Sequence, residues 1–511
     1  MKILKTSILL FITVFFAGCE DYLEQEPIGK LSSDVYLENE AQVRKALVGV
    51  YDIIQTNYSA GTWNSVYFIK NLPADDCLAA GGGPTDQSEY QYLDDFVITS
   101  DNAKLEAIWS DFYKTINASN TIVTQVGEKP DATDGMKVMA AEAKALRAFT
   151  YFDLVVMWGG VPLFTENPAD PSEYHMPRAS VADVYAQIEQ DLKDAIAVLP
   201  LKSGLSGGDK FRFSKGTAQA LLGKVYLYQE KYQEAADILS TVINSGEYSL
   251  EENFGDVWSS TTEFGAESLF EVSYVSNQYD WGNFPWGGGQ ESNIEAQLQG
   301  PRTTPFDLSE STLDVINGWG FNNPSREIGD LFVAEGETVR YEGTLISEDD
   351  FIATGGVITN PDEHDYEGYM RLKYVTRPSE TDTDAIAELN YTINWRILRY
   401  ADVLLMAAEA YNKTGQDGLA QTELEKVRAR AGFDEDVTAT GNALFQMIVK
   451  ERQLELAFEG QRYWDLVRWG MAEEELSDIG FQANKHELFP IPQNEIIANN
   501  AIDESEQNTG Y

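Results

Sequence analysis

Basic side chains, cysteine and histidine are scarce in this chain, and each scarcity excludes something. Only 37 lysines and arginines face 83 aspartates and glutamates, a net charge of −46 over 511 residues. A field of that sign repels phosphate backbones, so nucleic acid is not an expected partner. It also disfavours broad contact with anionic lipid, so membrane attachment would need a covalent anchor. His175, His364 and His486 are the three histidines and lie far apart, which leaves little for a zinc site or a histidine-based triad. The two cysteines are Cys19 and Cys77. With Cys19 spent on a lipid, no disulfide can form within the mature chain, and Cys77 reads as a lone packed thiol. Beyond the N-terminus, no segment is long and apolar enough to span a bilayer.

Aromatic residues are plentiful, at 12% of the chain, and hydrophobic residues reach 43%, as in a globular protein. Carboxylates accept hydrogen bonds from sugar hydroxyls, and ring faces stack on sugar C–H faces. Acid plus aromatic therefore suits sugar binding, and it equally suits any exported soluble protein.

Residues 1–18 carry Lys2 and Lys5, an apolar run from Ile8 to Phe16, then Ala17 and Gly18 before Cys19. This is an export-signal pattern whose apolar run is too short to cross a membrane. Small residues directly before cysteine resemble a bacterial lipobox, with Phe16 standing where the pattern prefers Leu. Cys19 is the expected lipidation site, and two or more acyl chains give a stable anchor. Glu20 and Asp21 resemble a surface-export signal of some Gram-negative lipoproteins.

Internal repeats indicate the scaffold. Between Gln219 and Val242, Leu222, Gly223, Tyr226, Tyr232, Ala235 and Leu239 fall at the offsets of a tetratricopeptide helix pair. Ala408, Tyr411, Ala420 and Leu424 repeat the offsets between Leu404 and Val427. Apolar recurrence at three and four residues predicts further helices over 41–55, 105–126, 136–158, 181–199 and 444–469. The fold class expected is mainly α, a tetratricopeptide-like scaffold with a large irregular α/β insertion carrying ligand-facing loops. The divisions drawn are 1–18, 19–252, 253–390 for the insertion, and 391–511. Residues 253–390 hold a glycine triplet at 287–289, several prolines and short alternating runs, too long for a structureless loop in a compact protein.

Four blocks then carry a family likeness: Glu142 to Pro162 (EAKALRAFTYFDLVVMWGGVP), Arg399 to Ala410 (RYADVLLMAAEA), Lys450 to Trp469 (KERQLELAFEGQRYWDLVRW) and Leu488 to Ile496 (LFPIPQNEI). With Gly318-Trp319-Gly320, Pro324 and the ending Gln507 to Tyr511, they resemble the SusD/RagB family of starch-utilisation-type lipoproteins. The likeness runs over nearly the whole chain. It implies a helical-repeat fold, no catalytic activity, no cofactor, an outer-membrane location, and a SusC-like TonB-dependent transporter as partner. It implies a nutrient as ligand, expected to be a glycan, with a peptide as the alternative and a surface glycoside hydrolase as a less favoured one. A protein-only helical adaptor is a third reading. Arg147, Arg452, Arg462, Asp465 and Arg468 read as salt-bridged packing within the blocks.

Two loop clusters are the candidate sites. The first is Tyr279, Asp280, Trp281, Asn283, Phe284 and Trp286, four rings in eight residues flanked by glycine. Its Gly and Pro content argues for a loop, and exposed large rings need a cover. A sugar could stack on them while Asp280 and Asn283 bond its hydroxyls. The second is Tyr58, Trp63, Asn64 and Tyr67, followed by Asp75 and Asp76, for which packing against the first helix is the favoured reading. Trp319 reads as structural. Gly204 to Gly208 matches G-x-S-x-G but follows a helix end rather than a strand, so it is no nucleophile elbow. Asp382-x-Asp384 lacks the rest of a calcium loop, and no metal site is expected.

Overall fold

The computed structural model describes residues 37–59, 63–287 and 289–511. The export signal and Cys19 lie outside the described residues.

The scaffold is a run of antiparallel helices: α1 (Glu40–Tyr58), α2 (Ala103–Gly127), α3 (Asp134–Trp158), α4 (Val181–Val198), α5 (Lys215–Tyr228), α6 (Tyr232–Ile243), α7 (Tyr400–Lys413), α8 (Asp417–Arg430), α9 (Gly441–Glu455) and α10 (Arg462–Trp469). The starts are written in side chains. Asn39, Asn102, Thr133, Ser180 and Ser214 each accept a bond from a backbone N–H of the first turn. From α2 to α9 each helix packs on the next, and α6 packs directly on α7 although the insertion lies between them in sequence. The repeat therefore continues across the insertion. The close approach of α5 and α6 depends on Gly223, where a Cβ would sit 2.5 Å from Leu239 Cδ2.

The late helix expected over 444–469 is instead two helices. Phe458 (φ 62°) and Gly460 (φ 69°) adopt left-handed backbone, and a Cβ at 460 would meet Lys70 Cβ at 2.8 Å. The break turns α10 back onto the early part of the chain.

Among the described residues, four two-stranded antiparallel ladders complete the fold. Two position the site: β1 (Cys77–Ala80) with Phe321–Pro324, and Ser268–Val272 with Trp395–Arg399. A small satellite core around Phe306, Phe351 and Met370 lies beside the main one, which runs from Leu37 to Ile491. Buried ion pairs lock the layers. Arg147 grips Asp191 with two bonds, Arg452 bridges Asp402 and Asp465, Arg468 holds Glu409, and Arg462 reaches back to Asp75. Arg399 ties Glu267, Glu455 and Glu459 together at the root of the insertion. The family-like arginines are therefore structural. Cys77 is buried, and its thiol donates to the Asn71 carbonyl. The segment 204–208 is flanked by 3-10 turns. No helix among the described residues is long and apolar enough to cross a membrane.

Candidate functional site

The first aromatic loop divides its rings by direction. Tyr279 and Phe284 point inward onto Ile294 and Leu389, while Trp281 and Trp286 point outward at 51% and 38% exposure. Asn390 clamps the loop: its Oδ1 accepts from Tyr279 N and its Nδ2 donates to Tyr279 O, both at 2.9 Å. The tip is closed by two side chains. Asp280 Oδ1 accepts from Gly282 N and Asn283 N, and Asn283 Oδ1 accepts from Asp280 N at 2.7 Å. That reciprocal turn fixes Trp281 at the apex.

Trp63 comes to the same place from the loop after α1. Its φ of 60° lies in the left-handed region, a strained conformation for a bulky residue. Its carbonyl is held there by Tyr90 Oη and Lys104 Nζ, each at 2.7 Å. The Trp63 ring lies 5.7 Å from Trp286 and 5.0 Å from Trp319.

Trp319 is placed by glycines that allow backbones to touch. Its N–H donates to Gln297 O, while Gly318 and Gly320 bond Pro301 and Gly300. A Cβ on Gly318 would fall 2.3 Å from Gly300 Cα, so only glycine fits. The Gly81 to Gly83 loop abuts this segment through Gly81 N–H to Gly320 O at 2.8 Å. Asp86 closes that loop onto Gly82 N, and a Cβ at Gly82 would meet Arg302 Nη2 at 3.0 Å. Arg302 donates to Trp319 O at 3.3 Å and forms no ion pair among the described residues.

The result is a ridge of four tryptophans from three separate segments, Trp281, Trp286, Trp63 and Trp319, with centroid steps of 6.0, 5.7 and 5.0 Å. Successive ring planes are inclined to one another by 12°, 55° and 67°, so the four rings are not coplanar. Arg302 and Asp86 border its Trp319 end.

Several expectations are corrected here. Tyr58 and Tyr67 are buried, as are Tyr279 and Phe284, so none of these rings offers a face to a ligand. Tyr67 is stacked on Trp395 at 4.4 Å, and its hydroxyl accepts from Arg371 and donates to Phe458 O. Asp75 is spent on Arg462. Burial, chiefly, and then the Asp75 charge raise the Asp76 carboxyl to about 6. Asp280 and Asn283 serve the turn first, each with one oxygen. Trp319 joins the ridge rather than only packing, and Arg302 and Asp86 were missed. The glycines flanking Trp319 were the available signal, since close backbone contact there aims the ring.

A helical-repeat scaffold thus holds an aromatic ridge on loops, with Trp63 from the loop after α1 and Trp281, Trp286 and Trp319 from the region between α6 and α7. The comparisons show the family. A family model described as "Starch-binding associating with outer membrane" matches residues 21–227, and the SusD family model matches residues 317–511. A solved "Laminarin binding SusD-like protein" is 36% identical, with a TM-score of 0.82, covering 93% of this chain and 100% of its own. The surface glycan-binding protein A from Bacteroides thetaiotaomicron in complex with laminarihexaose is 25% identical, TM-score 0.75, covering 92% and 99%. The SusD-like protein P25 of Formosa agariphila is 24% identical over 100% of both chains. This chain belongs to the SusD family.

Proposed function

We propose that the protein is a non-catalytic, cell-surface lipoprotein that binds a neutral, curved glycan, with a laminarin-type β-1,3-glucan the favoured ligand. The observation carrying this is the four-tryptophan ridge. Large rings left exposed on a soluble protein form a ready contact surface, and sugar C–H faces cover them well. The turning of the ring planes suits a coiled glucan, whereas a flat β-1,4-linked ribbon needs coplanar rings. Arg302 and Asp86 supply a donor and an acceptor for hydroxyls at one end.

The wider reading follows the family. Cys19 carries the lipid anchor at the outer membrane, the ridge faces the exterior, and a SusC-like TonB-dependent transporter receives the glycan. The laminarin-binding relative supports the choice of ligand.

Isothermal titration with laminarihexaose, maltohexaose and cellohexaose tests the ligand. Saturable binding of laminarihexaose, with no new reducing ends after prolonged incubation, is the expected result. A flat titration across all three sugars, or the release of shorter sugars, would sink the proposal. Co-purification with the transporter, lost when Cys19 is changed to Ala, tests the anchored complex.

A further inference from the structure

A second ring-lined hollow lies away from the ridge, between α2, the loop 162–175 and the short helix Gln493–Ala498. Its volume is about 390 Å³, within the range of small-ligand sites. Trp109 lies at its floor, with Tyr113 5.3 Å away and Phe164 a further 6.1 Å on. Tyr174 stands over the opening at 53% exposure. A capping box, in which Asp170 and Glu173 each accept from the other's end of the turn, holds the short helix that carries this ring.

Acceptors predominate among the polar groups of the hollow, beside His175, whose Nδ1 accepts from Asn500 N and leaves Nε2 as a donor. Asn167 Nδ2 donates to Asn117 O and Thr121 Oγ1, and Asn494 Nδ2 donates to Glu106 Oε1. Both amides are thereby oriented, and their Oδ1 atoms have no intramolecular partner among the described residues. Glu495 is fixed by Trp109 Nε1 and Asn499 Nδ2 and keeps further acceptor capacity. No lysine or arginine lines the hollow, while two glutamates do. That chemistry rejects phosphate, sulfate and uronate, and it suits a neutral ligand rich in hydroxyl donors with apolar ring faces.

We infer that this hollow is a second glycan subsite, which takes one or two neutral sugar units of the same polymer the ridge holds. The ligand class rests on the ridge reading, whereas the site stands on its own geometry. The two sites share α2, since Lys104 holds the ridge through Trp63 O and Glu106 begins the lining of the hollow about 3 Å further along the helix. Two sites on one rigid body retain a long chain far better than either alone.

The test is calorimetric titration of the full mature chain with laminarihexaose. Wild type is expected to show two sites, and W281A/W286A a single residual site at least about tenfold weaker. Adding Tyr174→Ala and Asn167→Ala to that protein abolishes the residual binding, while the same pair on an intact ridge leaves one tight site. Unchanged thermal midpoints check that the variants fold. One site in wild type with none in W281A/W286A overturns the second subsite and leaves the ridge reading standing. Residual binding that persists without Tyr174 and Asn167 also overturns it. A wild type that ignores laminarihexaose overturns the ridge reading and, with it, the ligand class assigned to the hollow.

Discussion

Trp63 and Tyr67 stand four residues apart, yet one joins a solvent-facing ridge and the other a sealed stack with Trp395 and Tyr374. The same kind of side chain thus serves recognition in one place and cohesion in the other. The difference lies in the backbone. Trp63 occupies a left-handed loop position pinned through its carbonyl, whereas Tyr67 sits on a short helix, Val66–Asn71, whose rings turn into the core. Ring-rich sequence alone does not separate the two, because both regions are apolar, local and flanked by loops.

The sharpest break between the two regions comes from the stack. Trp395→Ala is expected to lower unfolding stability by about 3–5 kcal/mol through the cavity it leaves. Laminarihexaose affinity, measured well below the thermal transition, should stay within about twofold of wild type. Urea titration and calorimetry on one preparation check both halves. An affinity loss as large as the stability loss would merge the two regions.

The converse is W281A/W286A, expected to weaken laminarihexaose binding by about 30–1,000-fold, or roughly 2–4 kcal/mol. Stability should change by no more than about 1 kcal/mol, because these rings are already half in water.

Acidity separates the regions as well. Burial raises Glu380 from 4.5 to about 7, with Arg377 and Arg396 opposing the rise. A carboxyl raised in the folded state stabilises below its unfolded value, and that stability is lost as pH rises toward 7. Glu380→Gln should therefore flatten the fall in unfolding free energy between about pH 5 and 8, and should stabilise at pH 8 by about 1–3 kcal/mol. Equal slopes for wild type and variant would remove Glu380 as the cause. The Arg399 network works in the opposite sense. The Arg430, Arg399 and Arg340 charges overcome burial and hold Glu455 well below the usual carboxylate range, so its contribution disappears only in strong acid.

Smaller effects are expected at the polar border of the ridge. Arg302→Ala should weaken glucan binding by about 5–30-fold, and Arg302→Lys should restore only part of it, since a single ammonium cannot replace a planar fork. Asp280→Ala frees the apex turn without removing a ring, so a loss of about 2–5-fold in affinity with unchanged enthalpy per ring contact is expected by titration. If Asp280→Ala costs as much as W281A/W286A, its carboxylate touches the ligand directly.

The two tetratricopeptide-like pairs were legible because helix periodicity and small-residue spacing are local properties. Gly223 and Ala235 at fixed offsets have one inexpensive solution, which is close helix packing. The break at Phe458 to Gly460 was not, because apolar recurrence passes straight through it and only contact with Lys70 makes glycine necessary.

By itself, then, the sequence determined a helical-repeat scaffold, the family, and the loop that carries Trp281 and Trp286, since each rests on patterns within a few turns of chain. Only the tertiary structure decided which rings face water and that Trp63, Trp286 and Trp319 meet within 6 Å. The physical reason is that those three segments are brought together by ladder pairing, glycine contacts and buried ion pairs between residues hundreds of positions apart. Such contacts leave no periodic trace in any one segment.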